Sequence, residues 1–149
     1  MKARFRRLAR PWLIAVALAG AATGGSAQVF EMKPIGWVRK AQGQTSIQIA
    51  PEYQDALLGV EELEFIWVLY WLDRNDSPEQ RAMLQVHPRG NPANPLKGVF
   101  ATRAPVRPNL IGLSRCRVLS VQGTVILIDT IDAFPDTPVI DIKPYRDGR

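Results

Sequence analysis

The chain has 149 residues, with 19 Lys plus Arg against 14 Asp plus Glu and a formal charge of +5. Five of those bases (Lys2, Arg4, Arg6, Arg7 and Arg10) fall in the first ten residues and the first acid is Glu31, so from Gln28 onward 14 bases meet 14 acids. A formally neutral body excludes reading the high pI as the mark of a nucleic-acid-binding domain, and the length past the leader suits one domain with a single core. One cysteine, Cys116, excludes an internal disulfide framework and a cysteine zinc site, while one histidine, His87, excludes a multi-histidine metal centre.

In chain order, a basic segment is followed by an uncharged apolar run over 12–22 (WLIAVALAGAA) and then by Gly25-Ser26-Ala27, small residues of the kind a signal peptidase reads. The run is shorter than the roughly 20 residues that span a bilayer. This pattern predicts a signal peptide over 1–27, export of the folded domain 28–149 and no permanent membrane anchor. The alternatives are an uncleaved anchor and a cytoplasmic protein whose start was read too far upstream.

Past the leader, β-branched and aromatic residues gather in short runs between Pro and Gly. They predict strands over 35–39, 46–49, 65–72, 98–103, 116–121, 125–129 and 139–142. Gln122-Gly123 signals a hairpin. Residues 51–58 (PEYQDALL) predict a short helix opened by Pro51, and Ser77-Pro78-Glu79-Gln80 predicts a second helical turn capped by Ser77. The fold class expected is all-β: a small, single β-barrel domain with one or two short helices.

Charge is segregated along the body. From Glu52 to Glu79 there are eight acids and one base, and from Gln80 to Ile128 seven bases and no acid. Arg89, Arg103 and Arg107 sit among prolines, glycines and asparagines, and Pro105 and Pro108 fix the chain around Arg107. Arginines held this way lose little entropy on clamping a carboxylate or phosphate. Asn109 can bond its own backbone, and Asp129, Asp132, Asp136 and Asp141 could take ribose hydroxyls, face a cation, or serve as turn and ion-pair residues. His87 beside Pro88 and Cys116 between two arginines read as structural. Trp67, Tyr70 and Trp71 read as core or subunit interface rather than a stacking platform for bases.

The string GVFATRAPVRPNLIGLS (98–114), with HPRG (87–90) before it and DTPVIDIKPY (136–145) after it, resembles the TsaA-like family, the TrmO-like tRNA threonylcarbamoyladenosine N6-methyltransferases. The resemblance runs from Lys33 to Tyr145. It implies a small β-barrel methyltransferase that uses S-adenosylmethionine without a Rossmann fold, works as a homodimer, takes tRNA as acceptor and needs no metal. Independently, no G-x-G-x-x-G follows any predicted strand.

Carried over by position, the resemblance implies a cofactor site at Asp73, Arg74, Arg103, Leu113, Asp129, Thr130, Ile131 and Asp132. Candidate substrate or anion-binding residues are Arg89, Arg107, Asn109, Asp141, Lys143 and Tyr145, and no catalytic residue is assigned. The chain departs from the family pattern at Phe65 and Asp73 (ring residues with polar atoms), Ala104 (Ser), Leu110 (Pro) and Pro135-Asp136 (Asp-Gly). It also has a short loop at 40–44 in place of a longer one. A second reading therefore stands beside the methyltransferase: an exported barrel that binds a nucleoside-like or small anionic ligand.

Overall fold

The computed structural model describes residues 28–146, so the leader expected over 1–27 lies outside the described residues. The strands are β1 (Gly36–Ala41), β2 (Gln44–Ile49), β3 (Phe65–Trp71), β4 (Gln85–Val86), β5 (Lys97–Gly98), β6 (Ile111–Gln122), β7 (Val125–Ile128) and β8 (Pro138–Pro144). Six of them close an antiparallel barrel in the order β1-β2-β7-β6-β3-β8, and β4 and β5 form a separate ribbon. The all-β barrel expected from periodicity is the observed architecture. Among the described residues no helix is long and apolar enough to cross a membrane.

Period-two alternation builds the core. β3 reads half-buried and buried in turn along its length, placing Ile66, Val68 and Tyr70 inside and Phe65, Trp67, Leu69 and Trp71 outside. Val38, Ile47, Ile49, Cys116, Ile126, Ile128 and Val139 complete the interior. Burial pushes the Cys116 thiol up to about 12, with the Asp129 carboxylate adding to the effect, so the thiol is protonated and inert at neutral pH.

Both tight turns have the backbone that hairpins require. Gln42 and Gly43 (φ 52° and 76°) join β1 to β2, and Gly123 (φ 57°) lies in the β6–β7 turn signalled by Gln122-Gly123.

Three expectations change on contact with the structure. Residues 51–57 form a 3₁₀ helix rather than an α-helix: Ala50 offers no capping side chain, and only Leu57 of the segment is buried, so nothing rewards the wider turn. The predicted strand over 98–103 is only the two-residue β5, followed by a 3₁₀ turn at Val99–Ala101. The Arg107 guanidinium draws in the carbonyls of Val99 and Thr102 there, and a curled backbone cannot pair. The strand expected to begin at Cys116 begins at Ile111, because Ile111 to Ser114 pair with Trp71 to Val68. Ser77 does cap a helical turn, accepting the Gln80 N–H at 3.3 Å ahead of Pro78–Ala82.

Closure of the barrel is narrow. β1 meets β8 through only Gly36↔Val139 and Trp37↔Pro138, and a Cβ on Gly36 would lie 2.4 Å from the Gln48 carbonyl oxygen. Backbone on a paired strand cannot yield there. Gly36→Ala should therefore destabilise the protein by about 1–3 kcal/mol, seen as a lower urea midpoint, and an unchanged midpoint would show that β2 yields at Gln48.

Candidate functional site

At one end of the barrel, the segment from Thr102 to Leu110 arches over the ends of β3 and β6. It is held from beneath. Leu110 is fully buried and its carbonyl accepts the Leu72 N–H at 2.8 Å. Arg107 donates from Nε to the Ala104 carbonyl at 3.0 Å, and from Nη2 to those of Val99 and Thr102 at 3.0 and 2.8 Å. Arg81 donates to the Pro108 carbonyl at 3.2 Å while pairing with Asp76 at 2.7 Å. The fixed guanidinium at Arg107, read from sequence as an anion clamp, thus holds the loop itself.

Below this arch lies a recess of about 420 Å³, within the range of about 300–1,000 Å³ usual for ligand sites. Its walls combine apolar side chains (Trp67, Leu72, Leu113, Phe134) with Arg103 and Asp132. A second, larger recess of about 1050 Å³ lies against the β4–β5 ribbon and the 87–90 turn. A third, of about 470 Å³, lies beside Ser114, Arg115, Thr130 and Ile131. Arg103 and Asp132 line all three, so one guanidinium and one carboxylate stand where the recesses meet.

The barrel positions that pair of residues. Tyr70 points inward from β3, and its hydroxyl donates to the Asp132 carbonyl at 2.5 Å and lies 3.3 Å from the Ser114 hydroxyl. Burial raises the Tyr70 pKa; the bond to Ser114 opposes the shift, the Asp132 carboxylate adds to it, and the Arg103 charge opposes it. The phenol therefore stays neutral and able to donate at ordinary pH. Arg103 donates from Nη2 to the Leu113 carbonyl, tying the arch to β6. Gly112 makes the approach possible, since a Cβ there would lie 2.2 Å from the Tyr70 ring.

The remaining residues expected at the cofactor site are distributed as follows. Leu113, Thr130, Ile131 and Asp132 gather around Arg103. Asp129 turns its Oδ1 to the N–H groups of Arg117 and Thr130 at 2.8 and 2.7 Å, so it shapes the turn that carries Thr130. Asp73 and Arg74 lie in a 3₁₀ turn, with the Arg74 guanidinium 4.0 Å over the Phe134 ring at the rim.

The anion-binding candidates separate. Arg89 lines the large recess. Asn109 is exposed, and its carbonyl accepts the Ile111 N–H. Asp141 and Lys143 pair with each other at 2.8 Å, and Asp141 lines an apolar recess formed with the 51–57 helix and the turn after it, apart from Arg103. Tyr145 packs edge-on against Trp67 and Phe65 at ring distances of 5.2 and 6.0 Å. The sequence reading missed Tyr70 as a site residue because it lies in an apolar run. The signal was the hydroxyl itself, which a barrel interior tolerates only with a partner. Among the described residues, no group of three or more His, Cys, Asp or Glu is placed to hold a metal ion.

The class defined by these features is a small closed antiparallel barrel with a braced arginine arch over a polar recess at one rim. The chain belongs to the family described as tRNA-methyltransferase O N-terminal domain, which it matches over residues 30–148. It is 45% identical over 119 residues to a probable S-adenosyl-L-methionine-binding protein of Methanocaldococcus jannaschii, covering 80% of this chain and 94% of that one. To the tRNA (adenine(37)-N6)-methyltransferase of Homo sapiens it is 41% identical over 95 residues, which are 64% of this chain but 20% of that protein. The crystal structure of TrmO from Pseudomonas aeruginosa superposes with a TM-score of 0.60 at 26% identity, over 80% of this chain and 57% of that one. The chain thus spans a little over half of that solved structure.

Tyr70→Phe isolates the clamp without changing core volume. It should lower stability by about 0.5–1.5 kcal/mol, measured by chemical denaturation, and should weaken ligand binding at the recess by loosening Asp132. Unchanged stability and binding would show that the turn is held by other contacts.

Proposed function

We propose that this chain is an S-adenosylmethionine-dependent methyltransferase acting on a tRNA adenine. The observation that carries it is the junction at Arg103 and Asp132. In this family, relatives are named as S-adenosyl-L-methionine-binding proteins and tRNA (adenine(37)-N6)-methyltransferases, and the recess under the arch has the chemical complement such a donor needs. Arg103 offers a guanidinium to a carboxylate, and Asp132 offers a carboxylate to ribose hydroxyls. Leu113 and Phe134 give apolar faces for a purine, and the Leu113 and Asp132 carbonyls lie close by.

Bound there, the donor would supply an electrophilic methyl group on a positively charged sulfur. The chain's part is to bind, orient and exclude water. Arg103 and Asp132 fix the two ends of the ligand, Leu113 and Phe134 wall it, Thr130 and Ile131 line the adjoining recess, and Asp129 and the Asp73-Arg74 turn hold the rim. Holding two reactants in line can supply several kcal/mol of the barrier reduction. With its thiol protonated, Cys116 offers no competing nucleophile.

Calorimetry on the purified protein should show S-adenosylmethionine binding, weakened by more than about 1.5 kcal/mol in Arg103→Ala through loss of a charge-assisted bond. Label from a methyl-labelled donor should enter tRNA. No heat with wild type would sink the donor assignment, and equal affinity in the mutant would sink only the role of Arg103. The leader pattern over 1–27 favours a second reading, an exported barrel for a small anionic or nucleoside-like ligand, which is the account left standing by a protein that takes neither donor nor tRNA.

A homodimer belongs to the same proposal. The outer face of β3 carries Phe65, Trp67, Leu69 and Trp71, all half-buried, and Leu113, opposite Leu69 on β6, is 41% exposed. An apolar strip of this kind on a small barrel marks an interface. Sedimentation at micromolar concentration should give a dimer, and a monomer would leave that strip without the partner proposed for it.

A further inference from the structure

Most arginines on the barrel already have partners. Arg39 pairs with Asp136, Arg81 with Asp76 at 2.7 Å and Arg117 with Glu64 at 2.9 Å. Arg107 holds backbone carbonyls, and Arg74 and Arg115 lie over the Phe134 and Phe65 rings at 4.0 and 4.6 Å. Arg89 and Lys97 differ. Neither side chain has a hydrogen-bond or ion-pair partner among the described residues, and both line the recess of about 1050 Å³, where the one acid is Asp132 at the edge shared with the smaller recess.

The backbone that presents Arg89 is unusual in the same place. Arg89 has φ 60° and ψ 19°, a left-handed conformation unfavourable for a residue with a Cβ, and Gly90 follows at φ 65°. The turn is cross-braced. His87 Nδ1 bonds the Asn94 carbonyl at 2.7 Å, Asn94 Nδ2 donates to the Pro88 carbonyl at 2.8 Å, and the Gly90 N–H donates to the His87 carbonyl at 2.9 Å. Strain imposed by such bracing concentrates at ligand clamps. Met83 and Leu96, 42% and 53% exposed, add an apolar face to the same recess.

We propose that this larger recess holds the sugar-phosphate backbone of the acceptor strand, with Arg89 and Lys97 as its phosphate-binding pair. The proposal rests on the methyl-transfer reading, because the shared wall at Arg103 and Asp132 sets a strand bound here beside the donor recess. The recess is larger than one small ligand needs and suits a nucleotide within a strand. Apolar side chains next to two unpaired bases match what a single strand offers, a stacking face and a charged backbone.

The test is fluorescence anisotropy of a labelled single-stranded oligoribonucleotide against salt, on the purified protein and on Arg89→Gly with Lys97→Gln. Glycine is at home at φ 60°, so Arg89→Gly removes the guanidinium without threatening the fold, and its melting temperature should not fall below wild type. The double variant should bind the strand at least about tenfold more weakly. The slope of log K against log salt should also fall by about 1.4, two phosphate contacts at about 0.7 each, with affinity for S-adenosylmethionine unchanged. An unchanged slope and affinity for the strand would overturn the proposal. So would a wild type that binds the donor but not the strand, and that result would leave the donor reading intact. Strand binding with the two-contact slope in a protein that takes no donor would support the phosphate site and count against the methyl-transfer reading alone.

Discussion

A single phenol connects the barrel's interior to its site. Tyr70 lies on the inward register of β3, where its ring fills core volume and its hydroxyl would be a buried orphan without the Asp132 carbonyl and the Ser114 hydroxyl. A buried polar group left unpaired costs about 1–3 kcal/mol, so the hydrogen bonds fix the ring and the ring fixes the turn. Gly112 on β6 is the other half of the device, because any side chain there would occupy the space of the ring. The carboxylate end of the candidate site is thus positioned from inside the barrel by strand register, which is more rigid than any loop–loop contact.

The guanidinium end is positioned from outside. Pro105 and Pro108 limit the backbone of the arch, but prolines alone would leave its carbonyls without donors. Arg107 supplies donors to two of them, Thr102 and Ala104, and to Val99 just before the arch, and Arg81 supplies one to Pro108. With the arch braced, Arg103 reaches the Leu113 carbonyl on β6 and closes the roof onto the barrel. Two arginines acting as scaffold therefore hold a third where a ligand can meet it. This division of labour is invisible in composition, where all three count as positive charge.

Most barrel strands and the Gln122-Gly123 turn were legible because they rest on local rules: alternation, and glycine where φ must be positive. The interior alternation of β3 and the Gln122-Gly123 turn are of this kind. What was illegible depends on contacts distant in sequence. Ile111 to Ser114 read as a continuation of a loop rich in Pro, Asn and Gly, yet they are strand because β3 supplies their partners. Residues 98–103 had a strand-like composition, and a guanidinium several residues away curls them. Within the site, Arg103 and Asp132 were found through the family's motif, whereas the role of Arg107 as a brace and of Tyr70 as a clamp follows only from who faces whom. Asp136 shows the two levels together: it stands where the pattern has glycine, and it takes φ 65° while pairing with Arg39.

Formal neutrality of the body also reads differently once pairs are known. Glu64, Asp76, Asp136 and Asp141 each neutralise a base that lies on the barrel surface away from the large recess: Arg117, Arg81, Arg39 and Lys143. Such exposed pairs contribute little to stability, but they cancel local potential where they occur. Positive charge survives uncancelled where no acid is near, and on the walls around Arg89 and Lys97 the one acid is Asp132, shared with Arg103. A body that sums to zero can therefore still present a focused positive field at a single mouth. That is how a formally neutral barrel presents a positive site for a polyanion at one end, while the surplus of acids lies elsewhere, in the segment from Glu52 to Glu79.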